Sequence, residues 1–392
     1  MAHLTMTHTT SHATPHMAND LATSHPVHEH ATSHAQGAIP KFRLAELVRD
    51  ALPALYAQDG AILTTEQRFA LHAITGCRSS AFGERVLQCA DCSYRLHCPR
   101  SCGHRSCPRC QHAAASAWLA RQQAKLVPVD YYLATFTLPE GLRLLAMQQP
   151  KAVYDALFDA AASTLKSFGQ HHRKLSAELG FCAVLHTHSR RLDFHPHLHV
   201  VVPGGGVDPK RRQWRKLTGR YLFNGRQLAS VFRARMIEAL KCAGLTIPVG
   251  LPKKWIVHCA HVGNGLPALQ YLSRYLYRGV ISEKQLVDYD RAAGTVTFRY
   301  QDGKSKRPAL RTLGLLDFVR LLLRHVLPKG YRRVRDFGFL HANAKKLLTL
   351  LQLVLRVVIA PSAPRIARPF FCPHCHAPMV VCAMTPRSVR VT

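Results

Sequence analysis

The most informative part of the sequence is Phe194-His195-Pro196-His197-Leu198-His199-Val200-Val201-Val202. Because successive side chains of a strand point to opposite faces, His197 and His199 share one face and Leu198 lies on the other. Apart from His195 the rest of the stretch is apolar, and polar imidazoles in such surroundings need a partner. Two neighbouring imidazoles on a rigid strand therefore predict a divalent-metal site.

The preceding apolar segment supplies a candidate third ligand. Residues 181–188 predict a strand that includes His186 and His188, and a short loop leads from it into the histidine strand. An antiparallel pairing can set His186 opposite His197, whereas a slip of one residue turns it to the other face. His186 is thus a candidate ligand whose role depends on the register.

A predicted helix over residues 267–277 carries two tyrosines on one face. Tyr271 and Tyr275 are four residues apart, which places both phenols on the same side. Core packing is the usual role of aromatic residues at this spacing. Next to a metal site, however, the pair suits phosphoryl transfer, in which a tyrosine attacks a phosphate and the 3′ hydroxyl leaves.

A phosphotyrosine would retain the energy of the phosphodiester, so rejoining the ends would need no nucleotide cofactor. The Gly-Lys-Ser segment at 303–305 lacks the earlier glycine of a phosphate-binding loop, since Phe298 stands there. The sequence therefore predicts no nucleotide cofactor.

Ten of the 13 cysteines fall into two compact groups, seven from Cys77 to Cys110 and three from Cys372 to Cys382. The two Cys-x2-Cys pairs of the first group have a spacing that predicts one zinc ion held by four thiolates. These predicted ligands are Cys89, Cys92, Cys107 and Cys110.

The remaining cysteines leave alternatives open. Cys77 and Cys102 either complete a second zinc site with a neighbouring cysteine or histidine, or are ordinary buried thiols. The short cluster Cys372-x2-Cys375, with His374 and His376, also leaves zinc binding undecided.

The charge of the chain predicts DNA as its partner. Lys and Arg number 53 against 22 Asp and Glu, a formal net charge of +31. Such an excess is typical of proteins that bind a polyanion. No signal peptide and no apolar run of about 18 residues is visible, which argues against a membrane and predicts a location in the bacterial cytoplasm, associated with the nucleoid.

Two basic segments interleave cations with an aromatic ring, a pattern that suits a nucleic-acid backbone with a base stacked on the ring. A solvated charged loop is the plain alternative for each of them. The predicted DNA-binding residues of these segments, of the cysteine region and of the tyrosine helix are Arg105, Arg109, Lys210, Arg211, Arg212, Trp214, Arg274, Arg278, Lys329, Arg332, Arg333 and Arg335.

Composition and periodicity divide the chain into four parts. Residues 1–38, rich in His, Thr, Ser and Ala, predict a disordered tail, and 39–127 predict helices followed by a zinc-binding module. Residues 128–345 hold the histidine strand and the tyrosine helix, and 346–392 a basic helix and the short cysteine cluster. Strands and helices alternate irregularly, which favours an α+β fold with a mainly antiparallel sheet and packed helices.

The predicted elements follow from apolar periodicity and cap residues. The predicted helices cover 42–56, a segment starting at 64–66, 111–125, 151–168, 226–241, 267–277, 315–327 and 344–359. The predicted strands cover 131–137, 181–188, 198–202, 255–259 and 296–300.

Taken together, these motifs resemble the rolling-circle transposases of the insertion sequence ninety-one family, over most of the chain from Thr65 to Cys375. The segments that carry the resemblance are Cys77-Arg78-Ser79, 101–111, Thr135-Phe136-Thr137-Leu138-Pro139, Val184-Leu185-His186-Thr187, 195–199, Pro203-Gly204-Gly205-Gly206, 271–275 and His325-Val326-Leu327-Pro328-Lys329-Gly330.

The resemblance implies an amino-terminal zinc-binding domain and a His-hydrophobe-His nuclease domain. In that domain His197 and His199 would hold Mg²⁺ or Mn²⁺, and Tyr271 and Tyr275 would be nucleophiles that cleave and rejoin single-stranded element ends. One departure is Ser106, where the family usually has a histidine before the cysteine at 107; this chain carries His104 instead.

Two rival functions remain beside the transposase. A replication initiator or a plasmid relaxase would use the same chemistry, and a zinc-dependent DNA-binding protein would have no nuclease activity. The cysteine module and the motifs after the tyrosine helix favour the transposase. The sequence is compatible with an oligomer and leaves the order of the two tyrosines open.

Overall fold

The structure is a computed structural model and describes residues 41–110, 112–172, 175–217, 222–276, 279–303, 305–358 and 369–386. The predicted tail over residues 1–38 and Arg278 lie outside the described residues. The helices are α1 (Leu44–Asp59), α2 (Thr65–Thr75), α3 (His112–Gln123), α4 (Arg143–Gln148), α5 (Pro150–His171), α6 (Gly225–Cys242), α7 (Leu266–Leu276), α8 (Leu315–Leu323) and α9 (Lys345–Val354).

The strands are short and mostly antiparallel neighbours in small sheets. They are β1 (Glu84–Cys89), β2 (Arg95–Pro99), β3 (Tyr131–Thr137), β4 (Phe181–His188), β5 (Phe194–Pro203), β6 (Gly205–Asp208), β7 (Gln213–Lys216), β8 (Val257–His261), β9 (Leu286–Asp290), β10 (Thr295–Gln301), β11 (Pro308–Gly314), β12 (Val334–Phe337), β13 (Phe370–Phe371) and β14 (Pro378–Met384).

A five-stranded antiparallel sheet of order β12-β4-β5-β3-β8 carries the histidine strand. The alternation of β5 divides its side chains between two cores. Leu198, Val200 and Val202 are buried with residues of α5 and α6. Val201, on the opposite face with the histidines, is buried with residues of α3 and α7. Helices thus cover both faces of the sheet, and the predicted α+β class with a mainly antiparallel sheet is confirmed.

Strand β5 begins four residues earlier than predicted. The predicted strand starts at Leu198, and a proline such as Pro196 is unusual inside a central strand. In the structure Pro196 lies where the pairing with β4 shifts register, between the pairs His188–Phe194 and His186–His197. A residue without an N–H is tolerated at such a bulge, and the bulge also bends the strand beside the histidines.

A second core joins the amino-terminal helices to residues far along the chain. Thr64 caps α2 through a capping box with Gln67, as the predicted start of this helix requires. Leu47 of α1 and Leu71 of α2 are buried with Phe298 of β10 and Phe318 of α8. Residues 281–323, which the sequence assigns to the domain of the histidine strand, therefore share a core with the amino-terminal helices.

The carboxy-terminal hairpin is also joined to the amino-terminal part. A four-stranded sheet has the order β13-β14-β1-β2, and Val381 of β14 pairs with Leu87 of β1. The sequence analysis predicted neither strand, since β1 is short with an irregular pattern and the apolar residues of β14 show no alternation with polar ones. Within the described ranges no helix has the length and apolar character that a membrane span requires.

Gly338, directly after β12, lies very close to the backbone that leads into β4. It has a φ of +57°, and a Cβ at this position would overlap the carbonyl oxygen of Leu179. We expect Gly338→Ala to lower the free energy of unfolding by more than about 2 kcal/mol, since backbone strain and a clash with the main chain add.

The matched control is Gly330→Ala, because Gly330 also has a positive φ, of +70°, but open space around it. Strain alone should cost about 1 kcal/mol there. Urea unfolding followed by circular dichroism measures both variants, and equal losses would contradict the close approach at Gly338.

Candidate metal centre

Strand pairing brings three histidines together on one face of the sheet. β4 and β5 pair so that His186 lies directly opposite His197, the register that the sequence left open. The candidate ligand atoms of His186, His197 and His199 all lie within 4.8 Å of one another. The ring centroid of His186 is 5.3 Å from that of His197 and 4.7 Å from that of His199.

The hydrogen bonds and burial of these imidazoles suit a metal ligand set. His197 Nδ1 donates to the carbonyl oxygen of His195 at 2.7 Å, which leaves Nε2 as its ligand atom. His199 Nδ1 is buried without a hydrogen-bond partner in the described part of the chain. An orphaned buried nitrogen in a cluster of three imidazoles fits a divalent cation, because the ion would satisfy the nitrogen lone pairs.

Burial also keeps the three rings neutral. It lowers the pKa of His197 to about 3, with a contribution from neighbouring His199, and lowers the pKa of His199 to about 4. Burial, and then the neighbouring histidines, hold the pKa of His186 well below its ordinary value. The neutral form is the one that binds a metal ion, so all three rings are ready to bind at pH 7.

Helix α7 positions Tyr271 over this cluster. Leu269, Leu272 and Leu276 are buried against Trp118 of α3, and their spacing fixes which face of the helix is turned outward. The Tyr271 ring stacks on His199 with centroids 6.0 Å apart and remains 37% exposed, so a ligand at the histidines can reach it. Tyr275 lies one turn further along α7, but its side chain is outside the described residues.

His325 supports the site, although the sequence assigned it no role of its own. The residue is buried, its Nε2 donates to the carbonyl oxygen of Leu192 at 2.8 Å, and its ring stacks on Phe194. These contacts hold the loop that connects β4 to β5. Nothing in the local sequence distinguishes a positioning histidine of this kind from the other histidines.

The predicted pairing of the two Cys-x2-Cys segments is wrong. Cys107 and Cys110 cluster with Cys77 and Cys102, whereas Cys89 and Cys92 cluster with Cys372 and Cys375. The spacing allowed either arrangement. Cys89 ends β1, and β2 is the hairpin partner of β1, so Cys89 and Cys92 lie at the hairpin turn. Residues 102–110, in contrast, return to the end of α2.

Two histidines near these sulfur clusters have other partners. His104 Nδ1 accepts a hydrogen bond from the backbone of Ser106, and His97 pairs with Glu84. Cys382 donates to the carbonyl oxygen of Val86 instead of joining the terminal cluster.

Several predicted DNA-binding residues have partners within the fold. Arg333 donates to the carbonyl oxygen of Leu276 at the end of α7, and Arg105 to that of Tyr331. Arg335 pairs with Asp155 and lies over the ring of Phe158. These arginines therefore hold the segment of residues 331–335 in place.

The remaining predicted cations are mostly on the surface. Trp214 differs from the prediction, since it is half-buried and packs edge-on against Phe339, which leaves less of its ring for base stacking. Arg109 is half-buried. The exposed members of the set are Lys210, Arg211, Arg212, Arg274, Lys329 and Arg332.

Comparison with known proteins shows to which family the chain belongs. Residues 180–347 match the family model described as putative transposase, and residues 47–138 match that of a transposase zinc-binding domain. Putative transposase y4qJ of Sinorhizobium fredii is 35% identical over 353 residues, which cover 80% of this chain and 88% of that protein. The transposase for insertion sequence element IS801 of Pseudomonas savastanoi pv. phaseolicola is 30% identical over 284 residues, 67% of this chain and 68% of that protein.

Among solved structures, the conjugative relaxase TrwC in complex with mutant oriT DNA matches 41% of this chain and 68% of its own, at 22% identity and a TM-score of 0.25. The sequence matches define a transposase with an amino-terminal zinc-binding domain, an enzyme that binds, nicks and transfers DNA strands. The chain belongs to the insertion sequence ninety-one family, as the resemblance of its motifs predicts.

The buried imidazoles make the stability of the fold depend on pH. His199 has a folded pKa of about 4 against an ordinary value of 6.5, so between these values the unfolded chain binds a proton that the folded chain does not. Stability therefore increases with pH across this window. As the pH falls from 6.5 to 4 we expect a loss of up to about 1.4 kcal/mol per pH unit for each such histidine.

Urea unfolding in metal-free buffer at several pH values between 4 and 7 measures this slope. His199→Gln should flatten it, whereas His258→Gln, at an exposed strand histidine, should leave it unchanged. The same slope in wild type and in His199→Gln would contradict the buried, neutral state of His199.

Proposed function

We propose that the chain is a rolling-circle transposase in which His186, His197 and His199 bind Mg²⁺ or Mn²⁺ and Tyr271 is the nucleophile that cleaves single-stranded DNA. One observation carries the proposal: the Tyr271 ring stacks on His199 with centroids 6.0 Å apart, beside three neutral imidazoles on one face of the sheet. A tyrosine that served only to pack the core would lie on the leucine face of α7.

Different residues would bind the metal ion and attack the phosphate, and the histidines are the proposed metal ligands. A divalent ion bound here would neutralise charge on the non-bridging oxygens of the phosphate. The three imidazoles would hold this ion, and the hydrogen bond from His197 to the carbonyl of His195 fixes one ring in its orientation. Since the rings are already neutral, no proton has to leave them when a cation binds.

Tyr271 supplies the covalent step. Its phenolic oxygen forms a bond to phosphorus while the bond from phosphorus to the 3′ oxygen breaks. The phenolic proton passes to solvent, and the departing 3′ oxygen takes up a proton and leaves as a hydroxyl. The 5′ phosphate stays on the tyrosine until a 3′ hydroxyl attacks it and restores a phosphodiester, so rejoining needs no nucleotide.

The surroundings of α7 support a single strand as substrate. Arg333 ties the end of α7 to the segment that carries the exposed cations Lys329 and Arg332. A flexible backbone can follow these charges into a half-buried site, whereas a stiff duplex cannot bend into it as easily. The formal net charge of +31 supplies the attraction over longer distances.

The covalent adduct tests the proposed nucleophile. Wild-type protein with Mn²⁺ and end-labelled single-stranded DNA of an element end should give a band that survives denaturation. Tyr271→Phe should reduce its amount by at least about a hundredfold, because phenylalanine lacks the attacking oxygen. Tyr56→Phe removes the hydroxyl of another exposed tyrosine and should leave the adduct unchanged.

Tyr275→Phe and the double variant complete this experiment. An adduct of wild-type amount in the Tyr271→Phe/Tyr275→Phe protein would overturn the tyrosine mechanism. Absence of any adduct from wild type would favour a zinc-dependent DNA-binding protein without nuclease activity. Adding an acceptor strand separates a transposase, which joins the bound end to it, from an initiator or relaxase that only reseals the original strand.

A variant of the metal ligands separates cleavage from binding. His197→Gln keeps the size and polarity of the side chain but removes an imidazole from the cluster, so cleavage should fall by at least about a hundredfold. DNA affinity should stay within about threefold of wild type, and it should weaken with salt to the same degree, because phosphate contacts elsewhere provide it. Parallel loss of cleavage and binding would instead indicate a structural role for His197.

A further inference from the structure

The second sulfur cluster brings together two segments that are far apart in the sequence. Cys89 and Cys92 lie inside the segment matched to the transposase zinc-binding domain, whereas Cys372 and Cys375 lie beyond both matched segments. We propose that these four thiolates bind a second zinc ion, separate from the ion of the Cys77 cluster. This ion fastens the carboxy-terminal hairpin to the amino-terminal sheet.

The sulfur positions fit a shared tetrahedral ion. Cys89 Sγ is 3.4 Å from Cys375 Sγ, and Cys92 Sγ is 3.5 Å from Cys375 Sγ and 3.6 Å from Cys372 Sγ. Four thiolates about 2.3 Å from a central zinc ion are about 3.8 Å apart, close to these distances. Disulfide sulfurs lie about 2.05 Å apart, so the observed spacing is too long for a bonded pair.

The two Cys-x2-Cys segments have the same backbone turn. The N–H of Cys89 donates to the carbonyl oxygen of Tyr94 at 2.9 Å, and the N–H of Cys372 donates to that of Ala377 at 2.8 Å. Each bond closes a turn of equal length around its pair of cysteines. The repetition of one turn at two distant places in the chain indicates a common ligand-binding geometry.

Both turns also contain a strained residue at the same position. Ser93 and His376, each directly after the second cysteine of its segment, have positive φ values of 58° and 60°. Such a conformation is uncommon for residues other than glycine. In both turns a backbone N–H points at the first sulfur: Cys92 N lies 3.5 Å from Cys89 Sγ, and His374 N 3.4 Å from Cys372 Sγ. These donors favour the thiolate form that binds zinc.

Within residues 369–386 the hairpin has only a small hydrophobic core. Its buried residues, with those of β1, are Leu87, Cys89, Cys372, Ala377 and Met379. The apolar side chains of β14 at 380, 381 and 384 are between 49% and 63% exposed. A module this small buries too little apolar surface to offset the entropy of ordering it, and structural zinc commonly supplies the difference.

Zinc content per chain tests the proposal on the full-length protein. Native mass spectrometry and elemental analysis of protein purified under reducing conditions should give two zinc ions for wild type. Cys372→Ser/Cys375→Ser should retain one. The matched control Cys98→Ser/Cys382→Ser also removes two thiols from the same sheet, but from positions outside the cluster, and should retain two.

Hydrogen exchange gives an independent result if the Cys372→Ser/Cys375→Ser protein, the terminal variant, folds poorly. When a chelator removes one equivalent of zinc from wild type, the amides of β14 should exchange at least about tenfold faster while those of β5 keep their protection. A single zinc ion in wild type, two ions in the terminal variant, or unchanged exchange of β14 after zinc removal would each overturn the second site.

Discussion

The antiparallel pairing of β4 with β5 determines both the candidate metal centre and the packing of the helices around it. Its register sets His186 opposite His197 and thereby puts three imidazoles on one face of the sheet. Because the strand period is two, a slip of one residue would move His186 into the apolar core of the other face. The same slip would remove Leu185 from the core formed with α5 and α6, so the apolar residues and the histidines of β4 require the same register.

The burial that stabilises this sheet also keeps the histidines in the neutral form that can bind a metal ion. Removing the imidazoles from water disfavours their charged forms, which leaves lone pairs in place of protons at neutral pH. On the same face the leucines of α7 pack against α3, and their fixed spacing turns Tyr271 toward His199. Core packing and the arrangement of the site therefore follow from one distribution of apolar residues.

Much of this arrangement could be predicted from the sequence because it depends on local periodicity. Strand β3 has the predicted bounds, β4 does too, and the shared face of His197 and His199 follows from the period of a strand. The grouping of the cysteines could not be predicted, since ligand spacing does not determine which pairs meet. Cys89 and Cys375 are brought together by the pairing of β1 with β14, strands too short and too exposed to leave a periodic signal.

The roles of the arginines also could not be predicted from the sequence. A cation that binds phosphate and a cation that caps a helix look alike in a basic segment, and only tertiary contacts separate them. Arg333, with the end of α7 as its partner, and the exposed Arg332 are adjacent in the chain, yet their side chains have different surroundings. The sequence predicted the basic character of this region, and the fold determines which of its charges remain at the surface.

The shared core of the amino-terminal helices links the sulfur cluster to the histidine site. Cys77, Cys102 and Cys107 are buried in the same hydrophobic cluster as Leu192, which lies in the loop between β4 and β5. Leu192 has a positive φ of 68°, an unfavourable conformation that its burial and the hydrogen bond from His325 maintain. A zinc ion bound by these thiolates would stabilise the packing around this loop, which connects the strands that carry His186 and His197. The zinc-binding domain and the candidate metal centre are therefore joined through one hydrophobic core, although the cysteine and histidine clusters do not share a residue.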